Sequence, residues 1–234
     1  MSASGAPPPA PEPAPAEGFA HSRAYDLAFA APVAMFYALA VAGNAILVAR
    51  QWPHVKGATE GLLIANEVAT SLFFGLQAFL FLVRRLPVAK TRDFWPRAVA
   101  VLGANFNFTL LLLPHVALGA GWAGLSFALT MTGIVGSFAV LAWLGRGFAI
   151  FPEARGFVAT GPYRLVRHPL YLAEIVSMLG IMLGFRQPWA AMIVLATIVL
   201  QIRRMSFEED ILARTYPSYS AYRDRTARLL PRIY

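Results

Sequence analysis

The chain has 234 residues, of which 58% are hydrophobic and 14% charged, with no cysteine and a formal net charge of +8. A soluble domain is about half apolar and about one quarter charged, so this composition belongs to a membrane-embedded protein. The lack of cysteine excludes a disulfide framework, a thiolate nucleophile and a Cys-ligated metal, and the positive charge lies between apolar runs, where it sets orientation rather than binding nucleic acid.

Residues 1–22 hold six prolines among their first fifteen positions and no apolar centre. They lack the basic start and apolar core of a signal peptide and are expected to be a disordered Pro/Ala-rich tail. Uncharged or nearly uncharged runs follow at 27–49, 61–83, 98–118 and 122–144, each close to the roughly 20 residues that a helix needs to cross a bilayer. Two shorter runs, 169–185 and 188–202, are divided by Arg186 and Gln187, and Pro188 favours a tight hairpin there. The expected fold is therefore all-α: a polytopic transmembrane helical bundle of about six helices, with 23–234 a single domain. Trp52, Trp95, Trp122 and Trp189 fall at segment ends, where interfacial aromatic anchors belong.

Six crossings leave both termini on one side. Of the twenty Lys and Arg, seventeen lie on that side and only Arg50, Lys56 and Arg186 on the other. The positive-inside rule then predicts cytoplasmic termini and a cytoplasmic 145–168 loop. An integral membrane protein is therefore expected.

The chemistry collects in three places. The first is Gly161-Pro162-Tyr163-Arg164-Leu165-Val166-Arg167-His168-Pro169-Leu170-Tyr171, a polar stretch between two apolar segments, pinned by its two prolines. Pro169 opens a helix at its first turn, so His168 stands at a helix edge, beside N–H groups that favour negative charge. The second is Glu208-Glu209-Asp210, with Arg204 four residues before Glu208 and so on the same helical face. The third is Glu174, two turns into the fifth helix, where a carboxylate must face protein or a water-filled cavity. Asn66, Glu67, Asn105, Asn107 and His115 are better suited to hydrogen bonds between helices. Tyr216, Tyr219 and Tyr222 form a slowly rotating stripe that packs at the membrane surface or closes over a ligand. The four histidines are not at metal-ligand spacing, and there is no serine elbow, phosphate loop or Rossmann fingerprint in context.

The series GPYRLVRHPLY, then RMSFEEDIL about forty residues later, then YPSYSAY, resembles the isoprenylcysteine carboxyl methyltransferases and their bacterial relatives, a group that includes phospholipid N-methyltransferases. The resemblance covers residues 143–231. It implies an S-adenosylmethionine-dependent methyltransferase without a Rossmann domain, with a cytoplasmic C-terminal cofactor pocket and a lipophilic acceptor entering from the bilayer. It places Gly161, Pro162, Tyr163, Arg164, Arg167, His168, Pro169, Tyr171, Glu208 and Glu209 around the cofactor. Tyr163 and Tyr171 would face its cations, Arg164 or Arg167 its carboxylate, and Glu208 or Glu209 its ammonium or ribose. Arg204, with Glu174, would form the catalytic end, Arg204 holding an acidic acceptor group. The acceptor the resemblance implies is a lipophilic small molecule or prenyl-type compound carrying a carboxylate, thiol, amine or phenol, with membrane lipid as the surrounding partner and a bacterial inner membrane as the setting. No metal or nucleic acid is expected.

Two departures stand out. Tyr216-Pro217-Ser218-Tyr219 is one residue tighter than the family's Phe-Gly-x-x-Tyr. Arg-His-Pro-x-Tyr-x-x-Glu, ending at Glu174, also resembles membrane steroid reductases, which implies an alternative: an NADPH-dependent reductase of a sterol-like or enone substrate. Those enzymes carry Asn where this chain has Leu170 and Gly-Leu-Trp where it has Gly161-Pro162-Tyr163, and both differences favour the methyltransferase.

Overall fold

The computed structural model describes residues 23–55, 57–91, 93–149 and 153–231. The proline-rich tail, Lys56, Arg92 and Arg232 lie outside the described residues. The architecture is an all-α membrane bundle. Helix α1 spans Arg23–Gln51, α2 Ala58–Val83, α3 Phe94–Asn105, α4 Ala120–Leu144, α5 Pro169–Met182, α6 Trp189–Thr215 and α7 Tyr219–Arg225. Four of these, α1, α2, α4 and α6, contain stretches long and apolar enough to cross a membrane. Their outward faces carry Leu39, Leu72, Val135 and Val199, all exposed, as a lipid-facing surface requires. Trp52, Trp95, Trp122 and Trp189 are exposed at the segment ends.

The third apolar run departs from the expected single helix over 98–118. Helix α3 stops at Asn105, and a 3-10 helix carries on from Phe106 to Leu112. The cause is local. Asn105 Nδ2 donates to the Val101 carbonyl at 2.8 Å and Thr109 Oγ1 to the Phe106 carbonyl at 2.7 Å, so side chains compete with the backbone ladder. Pro114 then forces Leu113 into extended backbone. Asn105 therefore serves its own helix rather than a neighbouring one, and His115 packs its ring on Phe185 with centroids 4.3 Å apart. The interrupted element still rises about 30 Å from end to end.

Two small backbone ties mark the two ends of the bundle. At one end, β1 (Ala89–Lys90) pairs antiparallel with β2 (Glu153–Ala154), joining the α2–α3 connection to the segment after α4. Arg155, buried, extends this tie: it pairs with Glu153 and donates to the Arg85 carbonyl. At the other end, His115 bridges Phe185, Val116 N donates to the Gly184 carbonyl at 2.9 Å, and Arg186 N to the Pro114 carbonyl at 3.1 Å. The chain therefore passes between the ends at α3, returns through α4, and turns again through α5 and α6.

Helices α4 and α5 pack backbone to backbone. A Cβ on Gly133 would fall on the Ser177 amide and lie 2.5 Å from the Ala173 carbonyl; one on Gly180 would lie 2.5 Å from the Thr130 amide. Ser126 Oγ donates to the Gly180 carbonyl at 2.8 Å across the same contact. Small residues at such positions let membrane helices approach closely. One buried cluster, Tyr37, Phe81, Leu141 and Phe148, with Leu170 packed against it, lies toward the β1–β2 end. A second, Leu110, Met178, Phe185 and Val194, fills the opposite end.

Candidate functional site

The Gly161–Tyr171 stretch is held from three sides. Gly161 has φ +58°, and its missing Cβ would lie within the Trp143 indole at the end of α4. The residue thus answers two demands at once, a left-handed backbone and a ring in van der Waals contact. Residues Gly161–Arg164 form one 3-10 turn with Pro162 in it, and His168 precedes Pro169, the first residue of α5. Val166 pairs with Ala227 in a parallel bridge, Arg167 N donates to the Ala227 carbonyl at 2.8 Å, and His168 N to the Arg228 carbonyl at 3.1 Å. The segment after α7 therefore lies as an extra strand along the loop. Gly161→Ala is expected to lower the melting temperature in detergent by several degrees, through about 1–3 kcal/mol of strain and overpacking; an unchanged melting curve would contradict the Trp143 contact.

Helix α6 supplies the opposite wall, and its two adjacent glutamates have separate tasks. Glu209, buried, accepts from His168 Nε2 at 2.8 Å, Arg167 Nη1 at 2.9 Å and Arg228 Nε at 3.1 Å. Arg228 also donates to Ser206 Oγ at 2.8 Å. Glu208 faces inward. It accepts a short hydrogen bond from the Tyr171 hydroxyl, and its Oε1 lies 3.2 Å from Arg204 Nε. The Arg204 guanidinium sits over the Tyr171 ring, 5.1 Å from its centroid, a cation–π contact. Arg204 Nη2 reaches the Ala149 carbonyl at 3.4 Å.

Deeper along the same two helices, Gln201 Nε2 donates to Glu174 Oε2 at 3.0 Å. Gln201, Arg204 and Glu208 share one face of α6 at spacings of three and four. The polar run thus continues from the loop into the apolar part of the bundle.

The tyrosine stripe closes the outer side. Phe157 packs against Tyr216, Tyr219 and Tyr222, with ring centroids 5.1–6.0 Å apart. The Tyr222 hydroxyl donates to the Tyr163 carbonyl at 2.7 Å. Burial pushes the Tyr222 phenol up to about 12 and holds those of Tyr163 and Tyr219 well above the ordinary range, so all three remain neutral donors at physiological pH.

The structure brings together Arg167, His168, Tyr171, Glu174, Arg204, Glu208 and Glu209. Gly161, Pro162, Tyr163 and Pro169 form the frame of the loop, while Arg164 is exposed. Sequence reasoning missed Arg228, which balances Glu209 together with Arg167, and Gln201, the partner of Glu174. A glutamine inside an apolar run, three residues before an arginine, was the available signal for the latter. Among the described residues, no group of three or more His, Asp or Glu is arranged to hold a metal ion.

Residues 115–219, a little under half of the chain, match the family model described as Phospholipid methyltransferase, and the matched stretch contains the polar loop and the paired glutamates. The chain is also similar to two curated proteins. One is the Nickel-cobalt-cadmium resistance protein NccN of Alcaligenes xylosoxydans xylosoxydans, 31% identical over 114 residues, covering 47% of this chain and 53% of that protein. The other is the Cobalt-zinc-cadmium resistance protein CzcN of Cupriavidus metallidurans, 29% identical over 135 residues, covering 55% of this chain and 60% of that protein. The match thus spans little more than half the length of either relative.

Proposed function

We propose that the chain is an S-adenosylmethionine-dependent integral membrane methyltransferase acting on a lipophilic acceptor. The observation that carries this reading is the Tyr171–Glu208–Arg204 group, which lies where the polar loop meets α6 inside a family-matched segment. The donor set suits a zwitterionic, sulfonium-bearing cofactor. Buried Arg167 Nε lacks a hydrogen-bond partner, which leaves a donor for a carboxylate. Glu208 is an acceptor for an ammonium or ribose hydroxyl, and the Tyr171 face attracts positive charge.

When bound, S-adenosylmethionine supplies an electrophilic methyl carbon. The protein's own contribution is alignment and exclusion of water. Glu209 locks Arg167 and His168 in place, Tyr222 fixes the Tyr163 carbonyl, and the aromatic cover of Phe157, Tyr216 and Tyr219 shields the outer side. The basic connections are assigned to the cytoplasmic side, in keeping with the distribution of Lys and Arg.

Calorimetry on detergent-purified protein tests the assignment with S-adenosylhomocysteine and NADPH in parallel. Saturable binding of the homocysteine compound is expected, weakened by about tenfold or more in Glu208→Ala, or about 1.4 kcal/mol. Saturable NADPH binding with no response to S-adenosylhomocysteine would instead establish the reductase alternative.

A further inference from the structure

Beyond the loop, the bundle holds a second polar group whose chemistry concerns the acceptor. Glu174 on α5 and Gln201 on α6 are joined by one hydrogen bond, donated by the Gln201 amide nitrogen. Its oxygen, Oε1, is buried and has no hydrogen-bond partner, on a side chain 2% exposed. Leaving a buried acceptor unsatisfied costs about 1–3 kcal/mol, which a ligand bearing a donor would recover.

The neighbouring charges point the same way. Arg204 is already within 3.2 Å of Glu208. The inner group therefore has surplus acceptor capacity. A carboxylate brought here would offer no donor to Gln201 Oε1.

The third wall comes from the N-terminal half of the chain. Tyr37 on α1 is buried against Phe81 and Leu141, and Leu170 packs on the same cluster. Leu170 and Glu174 are one turn apart on α5. Tyr37 stands outside the family-matched residues 115–219, so this wall belongs to the part of the chain the family pattern does not cover.

We infer that Glu174 and Gln201, beside the apolar cluster of Tyr37 and Leu170, form the acceptor subsite, and that it takes a lipophilic molecule whose polar end donates hydrogen bonds, a hydroxyl or an amine, and not a carboxylate. This rests on the methyl-transfer reading for its biological meaning but not for its test. It revises the role of Arg204: with Glu208 beside it, the guanidinium positions the inner wall and does not clamp an anionic acceptor.

The experiment measures direct binding of 4-nonylphenol, decylamine and decanoate to the full chain in lipid nanodiscs, without cofactor. Wild type and variants share one nanodisc composition, so that partition into lipid cancels. Nonylphenol or decylamine is expected to bind saturably, and Glu174→Leu to weaken that binding by about tenfold or more, with Gln201→Leu weakening it about threefold or more. Decanoate binding is expected to be unaffected by either change. Should Glu174→Leu fail to fold, Gln201→Leu and Glu174→Gln carry the test, with the same direction expected. Donor probes that bind Gln201→Leu and the folded Glu174 variant as they bind wild type would overturn the proposal. So would saturable decanoate binding that is as tight as theirs and lost with Glu174. S-adenosylhomocysteine binding, measured on the same samples, separates the two readings. Its absence with donor binding intact sinks methyl transfer alone; its presence with donor binding indifferent to the variants sinks the subsite alone.

Discussion

Glu209→Ala is expected to destabilise the folded protein by about 3 kcal/mol or more, the usual cost of removing one partner from a buried ionic group. The carboxylate is the shared acceptor of Arg167, His168 and Arg228, and these come from two chain segments, the loop before α5 and the segment after α7. Removing it leaves two guanidinium groups close together, with side chains only 14% and 12% exposed. Like charges would then push the terminal segment off the loop and open the parallel bridge between Val166 and Ala227. Glu209→Gln retains an acceptor but no charge and is expected to lose less. Thermal unfolding in detergent gives the ranking, and limited proteolysis after residue 225 reports whether the terminal segment is released. An alanine variant within about 0.5 kcal/mol of wild type would mean the three contacts are incidental.

The α4–α5 contact gives the other large effect. Gly133→Ala places a methyl group on the Ser177 amide, and Gly180→Ala places one 2.5 Å from the Thr130 amide. In both cases the obstacle is backbone, which cannot rotate away as a side chain can. Each substitution is expected to cost about 1–3 kcal/mol by overpacking, and the pair together to prevent the hairpin from closing. Gly43→Ala on α1 serves as the control, because nothing lies within 4 Å of its added methyl; helix propensity alone predicts a gain of up to about 1 kcal/mol there. Equal melting temperatures for Gly43→Ala and Gly133→Ala would show that the close approach of α4 and α5 is wrong.

What could be read in advance followed the length scale of each signal. Apolar runs near 20 residues long located α1, α2 and α4 to within a few residues, since uninterrupted hydrophobicity has one structural solution in a bilayer. The acidic run was correctly placed on the helix that leaves the membrane, because Arg204 and Glu208 already share a face. The third span misled because its composition is as apolar as the others; Asn105, Asn107, Thr109 and Pro114 signal a broken ladder only when local side-chain hydrogen bonding is weighed against hydropathy. Within the site, loop and glutamates were legible as ordered motifs. Arg228 was not, since it is one of several arginines in a basic tail, and only the parallel bridge singles it out. Tyr37 was likewise invisible, because the cluster it shares with Phe81, Leu141 and Phe148 is a property of the assembled bundle and leaves no mark on local spacing.

Glu208 and Glu209 are neighbours in sequence, yet about 100° of helix rotation separates the directions they face. One meets Tyr171 and Arg204, the other Arg167, His168 and Arg228. Together they act as a two-toothed key. Turning α6 about its axis in either direction would withdraw both teeth at once, so the azimuth of the longest stretch of site-bearing helix is set by ionic contacts at its emerging end rather than by the lipid-facing packing along its length.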